Sequence, residues 1–235
     1  MGSYKNTNES KGLNWVIPLA CAVVMAAFAM VLILPESREI FRELSAAHPM
    51  IMGFVKFALL ATIGEMLAMR MRQNEWSLPF SLGWRMMIWG IIGAVLAIML
   101  KMYSGGVDFL MDTGILPGNG NGFVKAFATS VFMNVTFGPV MMAFHKMTDT
   151  YLELRHEGIS GKGIGEIVEN VDWNGFVSFV ILKTVPFFWI PAHTVTFLLP
   201  AEYQTIMAAF LSMALGVLLC LKKTPSMNFE GEGAD

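Results

Sequence analysis

The chain alternates between long apolar runs and short polar ones. Six runs, over residues 14–35, 50–69, 82–103, 123–145, 175–199 and 202–221, are dominated by Leu, Ile, Val, Met, Phe and Ala. A helix needs about 20 mostly apolar residues to cross a hydrocarbon layer about 30 Å thick. Within each run the apolar positions go all round the helix rather than down one stripe. Lipid or neighbouring helices must therefore surround it. The pattern predicts an all-α protein, a polytopic bundle of about six transmembrane helices. These form a single domain over residues 12–222, with polar tails at 1–11 and 223–235.

Composition sharpens this picture. The 235 residues are 55% hydrophobic and 14% charged, with mean hydropathy +0.57. A soluble domain carries about 25% charge. The first run is too long for the apolar core of a secretory signal, about 7–15 residues, and reads as a retained anchor. The net charge of −2 speaks against a nucleic-acid partner. Cys21 and Cys220 lie far apart inside apolar runs and supply no ligand set or disulfide framework. His48, His145, His156 and His193 have no HExxH or His/Cys spacing. No metal, cofactor or catalytic cluster is predicted, and the chain does not read as an enzyme.

Orientation follows from Lys and Arg near the span ends. With the N-terminus inside, ten lie on the inner side: Lys5, Lys11, Arg70, Arg72, Arg85, Lys146, and then Arg155, Lys162, Lys222 and Lys223. Four, Arg38, Arg42, Lys101 and Lys125, lie outside. Both termini are expected in the cytoplasm. The expected membrane is a bacterial-type inner or plasma membrane, or a mitochondrial or peroxisomal membrane in a eukaryotic cell.

Between the runs, residues 36–46 read as a short helix on the outer surface, with Glu39 and Arg42 paired at i,i+3. Residues 104–122, rich in Gly and Asn, read as an irregular outer loop. Residues 146–174 form the largest inner loop, with a short helix over 164–171. Its "GISGKGIGE" is no phosphate loop, because Lys162 is followed by Gly163 rather than Ser or Thr. Pro200 and Glu202 suit the first turn of the last helix and predict a tight outer hairpin.

The polar positions inside the runs carry the functional question. Ala126, Ser130, Asn134 and Gly138 recur at steps of four, as do Ala208, Ser212 and Gly216. Such ridges of small residues let membrane helices pack closely. Gly90 and Ala94 start a similar ridge on the third run. The amide of Asn134 needs partners, either a neighbouring helix or a pore. Glu65 either pairs with Arg72, seven residues on, or serves a function. Lys56 lies near enough to the outer end to extend to water, and His145 marks the inner interface.

The fifth run holds Lys183, Pro186, Pro191 and His193. A lysine at a span's centre costs about 3 kcal/mol, and each Leu, Ile, Phe or Val returns about 0.3–0.6. Eight such residues follow between Val185 and Leu199 and return about 2–5 kcal/mol, so the run inserts with little margin. Pro186 and Pro191 each remove a backbone donor and free a carbonyl one turn back, at Leu182 and Phe187. Two readings fit: a bent span facing a wet pathway, or a bent packing helix with Lys183 extended toward the headgroups. The pore or cavity candidates are Lys183, Pro186, Pro191, His193, Asn134 and Glu65.

From about Gly138 onward the chain resembles the Mpv-seventeen/peroxisomal-membrane-protein-twenty-two family of small integral membrane proteins. The resemblance rests on Gly138, Pro139 and His145 in "FGPVMMAFHKMTDTYLE", then Asp172 and Trp173. It continues in Phe197, Pro200 and Tyr203 of "FLLPAEYQ", and in the basic end at Lys222 and Lys223. "TIGEMLAMR" is similar to the family's Gly-Asp segment, with Glu65 in the acidic place. Gln204 stands where the family has arginine, and the family's WP-x-x-Q pattern is missing, so no gating role is carried over. Members have fewer spans, which makes the first two or so here additional. The resemblance implies a weakly selective channel with no cofactor and no catalysis.

The function expected is therefore a weakly selective channel or permeability protein for small solutes. Its partners would be membrane lipid, a small solute and a second copy of the chain. The alternative is a non-transporting scaffold that binds lipid or another partner.

Overall fold

A computed structural model describes residues 7–159 and 163–221. Lys5, Lys162, Lys222 and Lys223 lie outside the described residues, as do the side chains of Lys11 and Cys220. Among the described residues there are helices and no strands: α1 (Thr7–Ile33), α2 (Pro35–Ala47), α3 (Pro49–Gln73), α4 (Leu82–Asp112) and α5 (Gly122–His156). Then come α6 (Ile164–Asn170), a composite fifth span and α9 (Ala201–Leu221). Six helices are long and apolar enough to span a membrane, one for each apolar run.

Two helices outrun their expected limits. Residues 104–112 belong to α4, because Val107 and Met111 are buried and Lys125 Nζ bonds Asp108 Oδ2 at 2.7 Å. Packing there overrides the loop preference of Gly105 and Gly106. Residues 146–156 belong to α5, where Thr150, Leu152 and Leu154 are buried. The short helices came close to expectation. α2 begins at Pro35, Arg42 pairs with Glu39 at 3.0 Å, and only His48 separates it from Pro49 of α3.

The core is built around α3. It runs antiparallel to α4 and parallel to α9, and small residues set both seams. A Cβ on Gly53 would collide with the carbonyl of Gly93, and Phe54 lies over Gly90. On the other side Met213 covers Gly64. Phe57, Leu60, Leu96, Leu100, Met133 and Ala209 fill the space between. The α1 helix sits at the edge, held at Ile17 and Cys21 against Ile63 and Met66, while Val23, Met30 and Ile33 face outward.

The fifth span joins α7 (Trp173–Gly175), a π-helix (Phe176–Trp189) and α8 (Ile190–Leu198). Asp172 caps it, Oδ1 accepting from Gly175 N–H at 2.8 Å. The expected kink is replaced by a change of winding. The N–H of Ile190 bonds the carbonyl of Val185, five residues back. Pro186 has no donor, and in an α-turn its ring presses on the carbonyl four residues back. The wider π-turn moves that carbonyl aside. Thr184 Oγ1 donates to Phe179 O at 3.2 Å. Pro191 falls in the first turn of α8, where proline fits.

Candidate functional site

Between α3, α4, α5, the fifth span and α9 lies a cavity of about 350 Å³. Its mouth is where α3 ends and α4 begins, beside Arg72, Lys146 and Asp149. Its deep end, near the middle of the spans, is closed by buried Phe57, Leu96, Ala208 and His193.

The deep end is organised by α5. Ser130 and Asn134 are one turn apart on its buried ridge. Ser130 Oγ donates to the carbonyl of Ile190 at 2.7 Å and ties α5 to the fifth span. Asn134 Nδ2 donates to Ser130 O at 2.8 Å, which turns Oδ1 toward His193 Nδ1 at 3.0 Å. With Oδ1 as acceptor, His193 carries its proton on Nδ1 and presents a lone pair on Nε2. That Nε2 is buried and has no partner among the described residues, and His193 lines the cavity. Trp189 stacks on the imidazole with ring centroids 5.1 Å apart, and its Nε1–H is also unpartnered.

The mouth carries an ion cluster. Arg85 of α4 bridges two carboxylates: Nη1 pairs with Glu65 Oε1 of α3 and, at 3.2 Å, with Asp149 Oδ1 of α5. His145 Nε2 lies 3.4 Å from Asp149 Oδ2, one turn along α5. Trp89 packs on His145 with centroids 4.1 Å apart. Its indole N–H faces Glu65 without a hydrogen bond of ordinary geometry. Glu65 Oε2 and His145 Nδ1 are buried and unpartnered as well.

Several sequence expectations are corrected here. Glu65 pairs with Arg85, not Arg72, because α4 returns antiparallel beside α3. His145 does not end its helix, since α5 continues for 11 residues to His156, and its ring packs on Trp89 beside Asp149. Lys56 does not reach water. It is 1% exposed, donates to Ser45 Oγ at 2.7 Å and lies 4.3 Å from the Phe41 ring centre, because α2 folds down over it.

Of the six candidates, Glu65 and His193 line the cavity, and Asn134 holds His193 from behind. Lys183 is exposed on the outer side of the span and does not line the cavity, nor do Pro186 and Pro191. The π-winding between residues 183 and 193 turns the two apart. Sequence reasoning missed Arg85, Asp149, Trp89 and Trp189. The one available signal was His145 and Asp149 at i,i+4, hidden by ending the helix at residue 145.

The fold defines an integral membrane protein with a mostly apolar cavity among its helices, lined by a few polar side chains. Comparison with protein-family models, with curated proteins and with solved structures finds no match to this chain.

Proposed function

We propose that the protein passes small solutes across its membrane by binding them, rather than through an open pore. The supporting observation is that Glu65, His145, Trp189 and His193 all line one cavity, each with a buried polar atom that has no partner among the described residues. Buried polar groups are normally paired, and membrane-embedded ones mark substrate paths. A volume of about 350 Å³ falls within the usual range for small-ligand sites. A solute enters past the charged mouth, which the positive-inside count puts in the cytoplasm. It meets a donor at Trp189 and an acceptor at His193, so a hydroxyl or amide is the fitting chemistry. Because Phe57 and Leu96 close the far end, crossing requires the fifth span to move, and its non-standard winding makes it the element suited to do so. The resemblance noted from the sequence agrees, since Glu65 and His145 both belong to it.

The test is light-scattering of proteoliposomes given glycerol, urea or a chloride salt. Flux of the neutral solutes above empty vesicles is expected, falling at least several-fold in His193→Phe. Equal flux in protein-containing and empty vesicles would end the reading. The closed deep end favours one second reading, a binding protein that holds a ligand without transport. Retention of a small molecule through purification, with no flux, would select it.

A further inference from the structure

The ion-paired cluster at the mouth of the cavity, taken by itself, holds one more negative than positive charge. Arg85 supplies one positive charge to two carboxylates, Glu65 and Asp149. Their side chains are 12%, 17% and 25% exposed, so water screens them only in part. A buried negative charge in surplus is costly unless something neutralises it. Arg72 of α3 and Lys146 and Glu153 of α5 stand further out around Asp149. Among the described residues, none of the three makes an ion pair with the cluster.

The atoms left over are those a cation would need. Glu65 Oε2 and His145 Nδ1 carry lone pairs, are buried and have no partner among the described residues, and both residues line the cavity. His145 has Asp149 Oδ2 3.4 Å from one ring nitrogen and the Trp89 ring packed against it. An aromatic face favours a cation at close range. No group of three or more His, Cys, Asp or Glu among the described residues forms a metal site, which favours a proton over a metal ion. At the other end of the same cavity, the lining residue His193, 5% exposed, has a buried Nε2 with no partner among the described residues. A proton leaving the mouth therefore has an acceptor near the middle of the membrane.

We propose that Glu65, Arg85, Asp149 and His145 form a site for one exchangeable proton, and that this proton is the coupling ion for movement through the cavity. The proton comes from water at the mouth and adds to His145 Nδ1 or Glu65 Oε2. No other bond breaks, and the cluster passes from one negative charge to neutral. The site itself stands apart from transport, while the coupling rests on the function proposed above.

Trp89 reports on the site. A charged imidazole against an indole quenches its emission, so the full chain in nanodiscs is titrated by tryptophan fluorescence from about pH 8 to about pH 5, where a histidine switch operates. The six tryptophans include one in contact with His145, so a loss of up to one-sixth of the emission is expected. It should vanish in Trp89→Phe and in His145→Gln. Its midpoint should move in the near-isosteric Glu65→Gln and Asp149→Asn. A quench that survives Trp89→Phe, or a midpoint unmoved in both carboxylate variants, overturns the site. Pyranine-loaded proteoliposomes then test coupling. Under an imposed pH gradient, the wild type should acidify inside at least threefold faster than Glu65→Gln. Equal rates with the titration intact keep the site and overturn the coupling. Solute flux without any titration overturns the site and leaves the transport reading standing.

Discussion

His193 Nδ1 meets Asn134 Oδ1 at 3.0 Å, joining two spans through residues 59 positions apart in sequence. The bond fixes the orientation of the imidazole, which lines the cavity. Asn134→Leu keeps the volume and removes the amide, leaving both ring nitrogens unpaired. Stability measured by denaturant titration in detergent should fall by about 1–3 kcal/mol. A double-mutant cycle with His193→Phe should return a coupling of about 0.6–1.7 kcal/mol, the range for hydrogen bonds between membrane helices.

Arg85 keeps Glu65 and Asp149 from facing each other as bare charges. Arg85→Ala should cost about 3–5 kcal/mol, the penalty for leaving buried charge uncompensated. Adding Glu65→Gln to Arg85→Ala should recover part of that loss. Additive effects of the two substitutions would contradict the bridge.

Lys56 should be replaceable. Lys56→Met keeps the stem volume and removes a buried charge, so thermal stability should hold or rise. Ser45→Ala instead deprives the ammonium of its hydrogen bond to the Ser45 hydroxyl and should cost about 1–3 kcal/mol.

The seam between α3 and α4 depends on missing side chains. Gly53→Val should destabilise by about 1–3 kcal/mol or abolish folding, since the new atoms meet the Gly93 backbone. Gly105→Ala meets nothing within 4 Å and should gain up to about 1 kcal/mol from helix propensity. Melting temperatures in one detergent compare the two.

Lys183 and His193 should separate in function. Lys183→Met is expected to leave solute flux within twofold of wild type while easing insertion, because a central lysine costs about 3 kcal/mol. His193→Phe should remove the flux. Loss of flux in Lys183→Met would return that lysine to the pathway.

The ends of α1, α2, α3, α6 and α9 were legible to within a few residues, apart from the N-terminal start of α1. Each is bounded by Pro, by polar clusters or by the length a bilayer demands. The far ends of α4 and α5 were not. Residues 104–112 and 146–156 look like loops until Val107, Leu152 and Leu154 find partners on other helices. The cavity was half legible: Glu65, Asn134 and His193 stood out as polar groups in oily runs. Arg85 and Asp149 sat at expected boundaries, where charge needs no explanation.

Number, approximate length and order of the spans were determined by the sequence alone, because hydrocarbon accepts only helices that are apolar all round and long enough to cross. That same all-round apolarity erases the stripe that would mark an inner face. Which charge meets which, why Lys183 turns outward, and why His193 turns inward were decided only when α4 returned beside α3 and the fifth span changed its winding.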